Sequence, residues 1–264
     1  MLRPRIIPCL LIQDKGLVKT VRFKNPKYIG DPLNAVRIFN EKEVDELVVL
    51  DISATSEQRE PDYKTIEFLA AECRMPLCYG GGVKTVEQAQ RIFGLGVEKV
   101  AISSAAIEDP KLITKIAERV GNQSVVVIID VKKKLMGGFE IFLNNGKKGT
   151  GKNPLDFIAK LKELGAGEVV INSIDNDGVM KGYDLALAEK VRSQTNLPLT
   201  ILGGAGSLND ISRLISKFGI IGAAAGSLFV FKGVYKAVLI NYPKPIEKDK
   251  MLIENHANEF SQKF

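Results

Sequence analysis

One histidine and no tryptophan occur in the 264 residues of this chain. The histidine, His256, lies in a polar C-terminal stretch, which all but excludes Ser-His-Asp and Cys-His nucleophile systems and histidine-ligated metal sites. Acid–base work is left to Asp, Glu, Lys, Tyr or Cys. Cysteine is scarce too: Cys9, Cys73 and Cys78 make an odd count, and no pair has metal-site spacing. Cys9 and Cys78 lie in apolar runs, which is the pattern of buried thiols in a reducing cytosol. No apolar run reaches membrane-spanning length, and the N-terminal segment enters a strand pattern rather than a signal peptide. A soluble, cytoplasmic protein without membrane contact is expected. Charge of one sign is also in short supply. The net charge is +6, Lys and Arg alternate with Asp and Glu, and no basic run is laced with aromatics. Nucleic-acid binding is therefore not expected.

The hydrophobic fraction of 45% is ample for a large core. Short β-branched runs alternate with longer amphipathic stretches. Strands are expected at 5–12, 46–52, 76–81, 98–104, 124–130, 168–174, 199–204 and 219–226. Most are apolar on both faces, as parallel strands covered on both sides must be. Helical patterns lie near 32–43, 62–73, 86–95, 110–119, 155–164, 184–194 and 207–217. Asp31-Pro32 opens the first as an N-cap followed by proline. Such alternation means βαβ units, and α/β barrels run to about 250 residues. The reading is one (βα)₈ TIM-barrel domain over residues 1–264. Its polar tail, from about residue 243, fits a surface helix or disorder equally.

The chain also repeats itself. Glu46-Leu-Val-Val-Leu-Asp51 aligns with Glu168-Val-Val-Ile-Asn-Ser173 at an offset of 122 residues. The same offset aligns Gly81-Gly82 with Gly203-Gly204, and Ser103-Ser104-Ala105 with Ala225-Gly226-Ser227. Two half-barrels of four βα units account for all three pairs, whereas a doubly wound open sheet does not.

In this fold the C-terminal strand ends form the working face. Glycine lets an anion approach the main chain, and a following helix N-terminus turns free amides toward it. Gly81, Gly82, Ser103 and Ser104 form one candidate phosphate pocket. Gly203, Gly204, Gly226 and Ser227 form the other, across the mouth. Glycines that merely make tight turns are the plainer alternative. Candidate carboxylates at strand ends are Asp51, Asp130, Asp175 and Asp177. Asp130 is followed by Val-Lys-Lys-Lys without a capping pattern, which favours chemistry over capping. The long first loop, Asp14 to Asp31, reads as a lid that brings Lys19 or Arg22 to a ligand phosphate.

At these residues the chain resembles the cyclase subunit of imidazole glycerol phosphate synthase. The motifs are Arg5-Ile-Ile-Pro-Cys9, Gly30-Asp-Pro32, Asp45-Glu-Leu-Val-Val-Leu-Asp-Ile52, Gly80-Gly-Gly82, Ser173-Ile-Asp-Asn-Asp-Gly178, Gly182-Tyr-Asp184 and Gly203-Gly-Ala-Gly206. The resemblance runs from residue 1 to about 235. It implies a heterodimer with a glutaminase subunit at the N-terminal barrel face and ammonia passing through the barrel. The ligand would be a bisphosphorylated ribulosyl aminoimidazole, and no cofactor or metal is called for. It also implies that Arg5, Glu46, Lys99 and Glu168 are the ring of charges gating ammonia, although an ion-pair ring has a structural explanation as well.

One departure stands out. The family pairs the aspartate matching Asp130 with another at the end of strand one, and that position here is Leu11. Leu202 and Asn172 replace a usual serine and threonine. A branch of the family with the same leucine is similar over Val18-Lys-Thr-Val-Arg-Phe23 and Asn40-Glu-Lys-Glu-Val-Asp-Glu46. That branch is linked to acetamidino-sugar synthesis for surface polysaccharide, where the barrel and a glutaminase are thought to supply ammonia to a sugar amidotransferase. Three expectations follow from the resemblance: an ammonia-conducting paralogue, an authentic cyclase of histidine biosynthesis, or an isomerase on the sister barrel. The charge ring argues against the last.

Overall fold

A computed structural model describes residues 3–251. Eight parallel strands close into a barrel: β1 (Arg5–Gln13), β2 (Leu47–Asp51), β3 (Leu77–Gly80), β4 (Lys99–Ile102), β5 (Val125–Lys133), β6 (Glu168–Ser173), β7 (Leu199–Leu202) and β8 (Gly222–Ala225). Consecutive strands pair in parallel, and β8 closes the ring on β1 with Arg5 beside Gly222. The expected (βα)₈ architecture is the one observed. Strand alternation splits the apolar side chains between two cores. Ile7, Cys9, Val48, Cys78, Ile128 and Val170 point into the barrel, while residues such as Leu47, Val49, Ile129 and Ile171 pack outward against the helices.

The half-barrel repeat persists in local geometry. Asp62 and Asp184 cap the helices Tyr63–Glu72 and Leu185–Arg192 with the same backbone angles, φ −77° and ψ 85°. Thr85 and Ser207 each close a capping box, with Gln88 and Asp210. At the turns after β3 and β7, Gly81 and Gly203 have φ of 123° and 95°. A Cβ at Gly81 would lie 2.5 Å from the Asp51 carbonyl, and one at Gly203 would lie 2.8 Å from the Ser173 carbonyl. Asp51 and Ser173 are themselves partners in the repeat. Both turns thus require glycine for the same two reasons, backbone sign and space.

Three expectations change. The segment 14–31 is an antiparallel β-hairpin, Gly16–Val21 with Lys24–Gly30, rather than an irregular loop. Asp14 and Lys15 both adopt positive φ, 50° and 63°, as a tight two-residue turn demands, and the following β-branched run continues the sheet. Likewise β5 does not end at Asp130. It continues to Lys133 and returns as Phe139–Leu143. The helix expected over 155–164 is only Pro154–Ile158, after which backbone bonds shift mainly to i→i−3 turns up to Gly165. In the tail, residues 245–251 are helical and Met251 is buried. Tyr242 anchors the approach to this helix by donating to the Ile6 carbonyl (2.8 Å). The rest of the tail, with His256, lies outside the described residues. Among the described residues no helix is long and apolar enough to cross a membrane.

Candidate active site

Leu11, Lys19, Asp51, Gly81, Gly82, Ser103, Ser104, Asp130, Asp177, Gly203, Gly204, Gly226 and Ser227 all line one cleft at the C-terminal mouth of the barrel. Chain topology brings them together, because all lie on or just after the barrel strands or on the hairpin that follows β1. The helices after β4 and β8, Ser104–Glu108 and Ser227–Val230, start without a side-chain cap. Their first amides therefore have no side-chain acceptor and can receive anionic oxygens. The two glycine turns flank them, on opposite sides of the mouth.

The carboxylates have separated roles. Asp51 accepts from the Ser53 and Ala54 amides (3.0 Å each) and pairs with Arg59 at 3.5 Å. Asp177 accepts from Thr20 Oγ1 (2.7 Å) and the Phe23 amide (3.0 Å). Burial raises the Asp177 carboxyl above its ordinary value, against these two hydrogen bonds and Lys19. Asp130 keeps one partner, Asn172 Nδ2 at 2.9 Å. Burial pushes its carboxyl up to about 7; the Asn172 hydrogen bond opposes this and the nearby Asp177 charge adds to it. Asp130 can therefore exchange a proton near neutrality, which is what a general acid or base needs. Asp175 and Arg22 stay out of the cleft: Asp175 accepts the Lys133 amide (2.8 Å) and Arg22 Nε donates to the Asp175 carbonyl. Asp14 lies at the hairpin turn, also outside the cleft, and so does not replace the aspartate that Leu11 lacks.

The β1 hairpin carries Lys19 across the mouth. Its tip is held by Asp177 and by Gly178, whose φ of 65° lets it lie against the Thr20 carbonyl. The Lys19 ammonium is buried, donates to the Cys9 carbonyl, and sits where a Cβ on Gly226 would collide with it. Burial lowers its pKa, while Cys9 and Asp177 pull the other way. Gly178→Ala is expected to loosen this clamp at a cost of about 1–3 kcal/mol. Faster amide hydrogen exchange over residues 18–23 than elsewhere in the barrel is the check, and an unchanged pattern would refute the clamp.

At the opposite face Arg5, Glu46, Lys99 and Glu168 close a ring. Arg5 pairs with Glu46 and, at 2.7 Å, with Glu168. Lys99 bridges Glu46 at 2.8 Å and Glu168 at 2.9 Å. Thr200 Oγ1 donates to Glu168 at 2.6 Å. Burial alone would raise the Glu168 carboxyl, but Arg5, Lys99 and Thr200 together hold it well below the usual carboxylate range. Between this ring and Asp130 the barrel interior is apolar, built from Ile7, Cys9, Val48, Cys78, Ile128 and Val170.

A family model described as histidine biosynthesis protein matches residues 5–236. The chain belongs to that family. Within it, a Vibrio vulnificus protein with the provisional name imidazole glycerol phosphate synthase subunit hisF3 is 61% identical over 96% of this chain and 97% of its own. A Pseudomonas aeruginosa relative with the provisional name subunit hisF2 is 54% identical over 92% and 97%. The imidazole glycerol phosphate synthase subunit HisF of Streptococcus sanguinis is 39% identical over 87% and 91%. The family member described here is thus a HisF-type barrel. Its sequence motifs marked the mouth residues above, but the cleft also includes Thr20, Phe23 and Asn145, to which no site role was assigned. Thr20 and Phe23 arrive on the segment expected as a lid, whereas Asn145 arrives on the second hairpin, which no local pattern in the chain announces. Among the described residues no group of His, Cys, Asp and Glu is arranged to hold a metal ion.

Proposed function

We propose that this barrel takes ammonia from a glutaminase subunit docked on the charged-ring face and delivers it at the mouth, having lost the family's own ring-closing activity. Leu11 carries the reading. It lies on the cleft wall with Leu50 and Leu202, and none of the three has a proton to exchange. Asp130 is left without an acid–base partner across the barrel, and such a group typically supplies about 10²- to 10⁴-fold in rate. The relatives at 54% and 61% identity bear numbered, provisional names, whereas the plainly named HisF subunit stands at 39%. This spread agrees with a paralogue branch. In that branch the ammonia would pass to a sugar amidotransferase making acetamidino sugars for surface polysaccharide, in the cytoplasm. The two uncapped helix starts support a phosphorylated ligand at the mouth, with Lys19 near the second of them.

A second reading, an authentic cyclase converting the bisphosphorylated ribulosyl aminoimidazole and ammonia to imidazole glycerol phosphate and aminoimidazole carboxamide ribotide, is favoured by Asp130 itself. The two are separated by mixing the purified protein with that substrate and an ammonium salt and following substrate loss. No turnover in the wild type, with partial gain in Leu11→Asp, is the expected result. Wild-type turnover abolished by Asp130→Asn would overturn it.

A further inference from the structure

The innermost rim of the mouth is divided chemically, and the division follows strand order. Strand alternation turns Ser103, just past β4, Asp130, within β5, and Asn172, near the end of β6, inward, with Asn172 directly beside Asp130. Leu202, Leu11 and Leu50 turn inward from β7, β1 and β2, with Asn172 beside Leu202 and Leu11 beside Leu50. One side of the rim thus offers polar atoms and the other offers none.

Two of those polar atoms are unsatisfied. Asn172 is 7% exposed; its amide nitrogen donates to Asp130, but among the described residues its Oδ1 accepts nothing, and neither does the buried Ser103 Oγ find a partner. Buried polar groups are normally paired, because each one left open costs about 1–3 kcal/mol. An open carbonyl oxygen beside a carboxylate calls for a group that carries N–H donors and positive charge. Asn172 Oδ1 stands beside the Gly203 turn, 3.5 Å from where a Cβ on that glycine would lie, and both residues line the cleft. An alkali cation fits poorly, because it needs oxygens all round and the leucine side supplies none. An ammonium ion needs only acceptors in the directions of its N–H bonds.

We propose that Asp130, Asn172 and Ser103 form an ammonium-holding station where the apolar barrel interior opens into the mouth. Asn172 is its positioning residue: it fixes the carboxylate through Nδ2 and takes one N–H on Oδ1. Neutral ammonia arriving through the interior takes the proton of the Asp130 carboxylic acid, giving an ammonium–carboxylate pair. Returning that proton to the carboxylate frees ammonia as a nucleophile, so no other reactant enters the step. The raised proton affinity of Asp130 suits such an exchange. This rests on the ammonia-delivery reading above and adds the place where the nitrogen pauses.

The test is a titration of the ¹⁵N-labelled full chain with ammonium chloride at about pH 8, where the carboxyl is ionised. Controls are potassium chloride and tetramethylammonium chloride at equal ionic strength. The Asn172 side-chain amide and the backbone amides of Asp130 and Ser173 are expected to shift saturably with ammonium alone. Asp130→Asn should weaken that binding by at least about tenfold. Asn172→Thr should weaken it while leaving a dispersed spectrum. Equal shifts with potassium, shifts that do not saturate, or full binding in Asp130→Asn would each overturn the station. If either variant fails to fold, the comparison of salts in the wild type still decides. Ammonium binding without any transfer from a glutaminase would sink the delivery reading and spare the station. Coupled transfer without ammonium binding would do the reverse.

Discussion

Asp130→Asn is expected to stabilise the protein near pH 8 by about 2 kcal/mol and to leave it little changed near pH 4. The carboxyl is pushed up to about 7 in the fold, chiefly by burial, from an ordinary value of 3.8. A raised carboxyl favours the folded state only while it is protonated in both states. That contribution is complete below the unfolded value and is lost as pH rises through the folded one. The full shift corresponds to about 4 kcal/mol, at ~1.4 kcal/mol per pH unit. Asp130 still opens onto the cleft, where water screens part of the cost, so about half is expected. Asparagine keeps the size and cannot ionise. Other titrating groups are common to both proteins and cancel in the difference. Urea unfolding at several pH values is the measurement. Parallel stability curves for the two proteins would mean that Asp130 is not held neutral.

Glu168→Ala should cost about 3 kcal/mol at neutral pH. The side chain is 6% exposed and accepts from Arg5, Lys99 and Thr200, so its loss leaves two cations sharing Glu46 and one buried hydroxyl open. Breaking a buried ion pair by removing one member typically costs about 3–5 kcal/mol. Arg5 and Lys99 are 24% and 20% exposed at their side chains, so the low end of that range applies. Because the folded Glu168 carboxyl is depressed, its contribution is present above the unfolded value and is lost as pH falls through the folded one. The wild-type advantage over Glu168→Ala should accordingly shrink in acid, as thermal unfolding across pH would record. Replacing the ring wholesale by apolar residues need not cost as much, since the charges would then leave together. A Glu168→Ala protein as stable as the wild type at pH 7 would show that the ring is not a stabilising element.

Much of the barrel is legible in the sequence. Strands apolar on both faces, helices between them, and a 122-residue offset that also relates the caps Asp62 and Asp184 are local or repeated patterns. They survive translation into structure because hydrogen bonding and strand alternation act over a few residues. The glycine pairs were legible for the same reason, since a turn that needs positive φ and no Cβ has one common solution. The segment from Asp14 to Asp31 shows the opposite case. Its composition of Lys, Arg and Gly suited a loop, yet pairing with β1 made it a hairpin, and pairing energy is not visible in one strand alone.

The sequence by itself determined the eight strands and the half-barrel symmetry, and its resemblance to a known family pointed to the charged ring and to the leucine where an acid was expected. Only the tertiary structure decided what each carboxylate is for. Asp51 and Asp177 look as free as Asp130 in the chain, but Asp51 closes a turn and Asp177 pins a hairpin from across the mouth. Asp130 alone is left with one partner and a buried, near-neutral carboxyl. The reason is physical: Asp51 is satisfied by neighbours within eight residues, whereas the proton affinity and hydrogen-bond occupancy of Asp130 and Asp177 depend on partners brought from about 40 to 160 residues away, which no local pattern encodes.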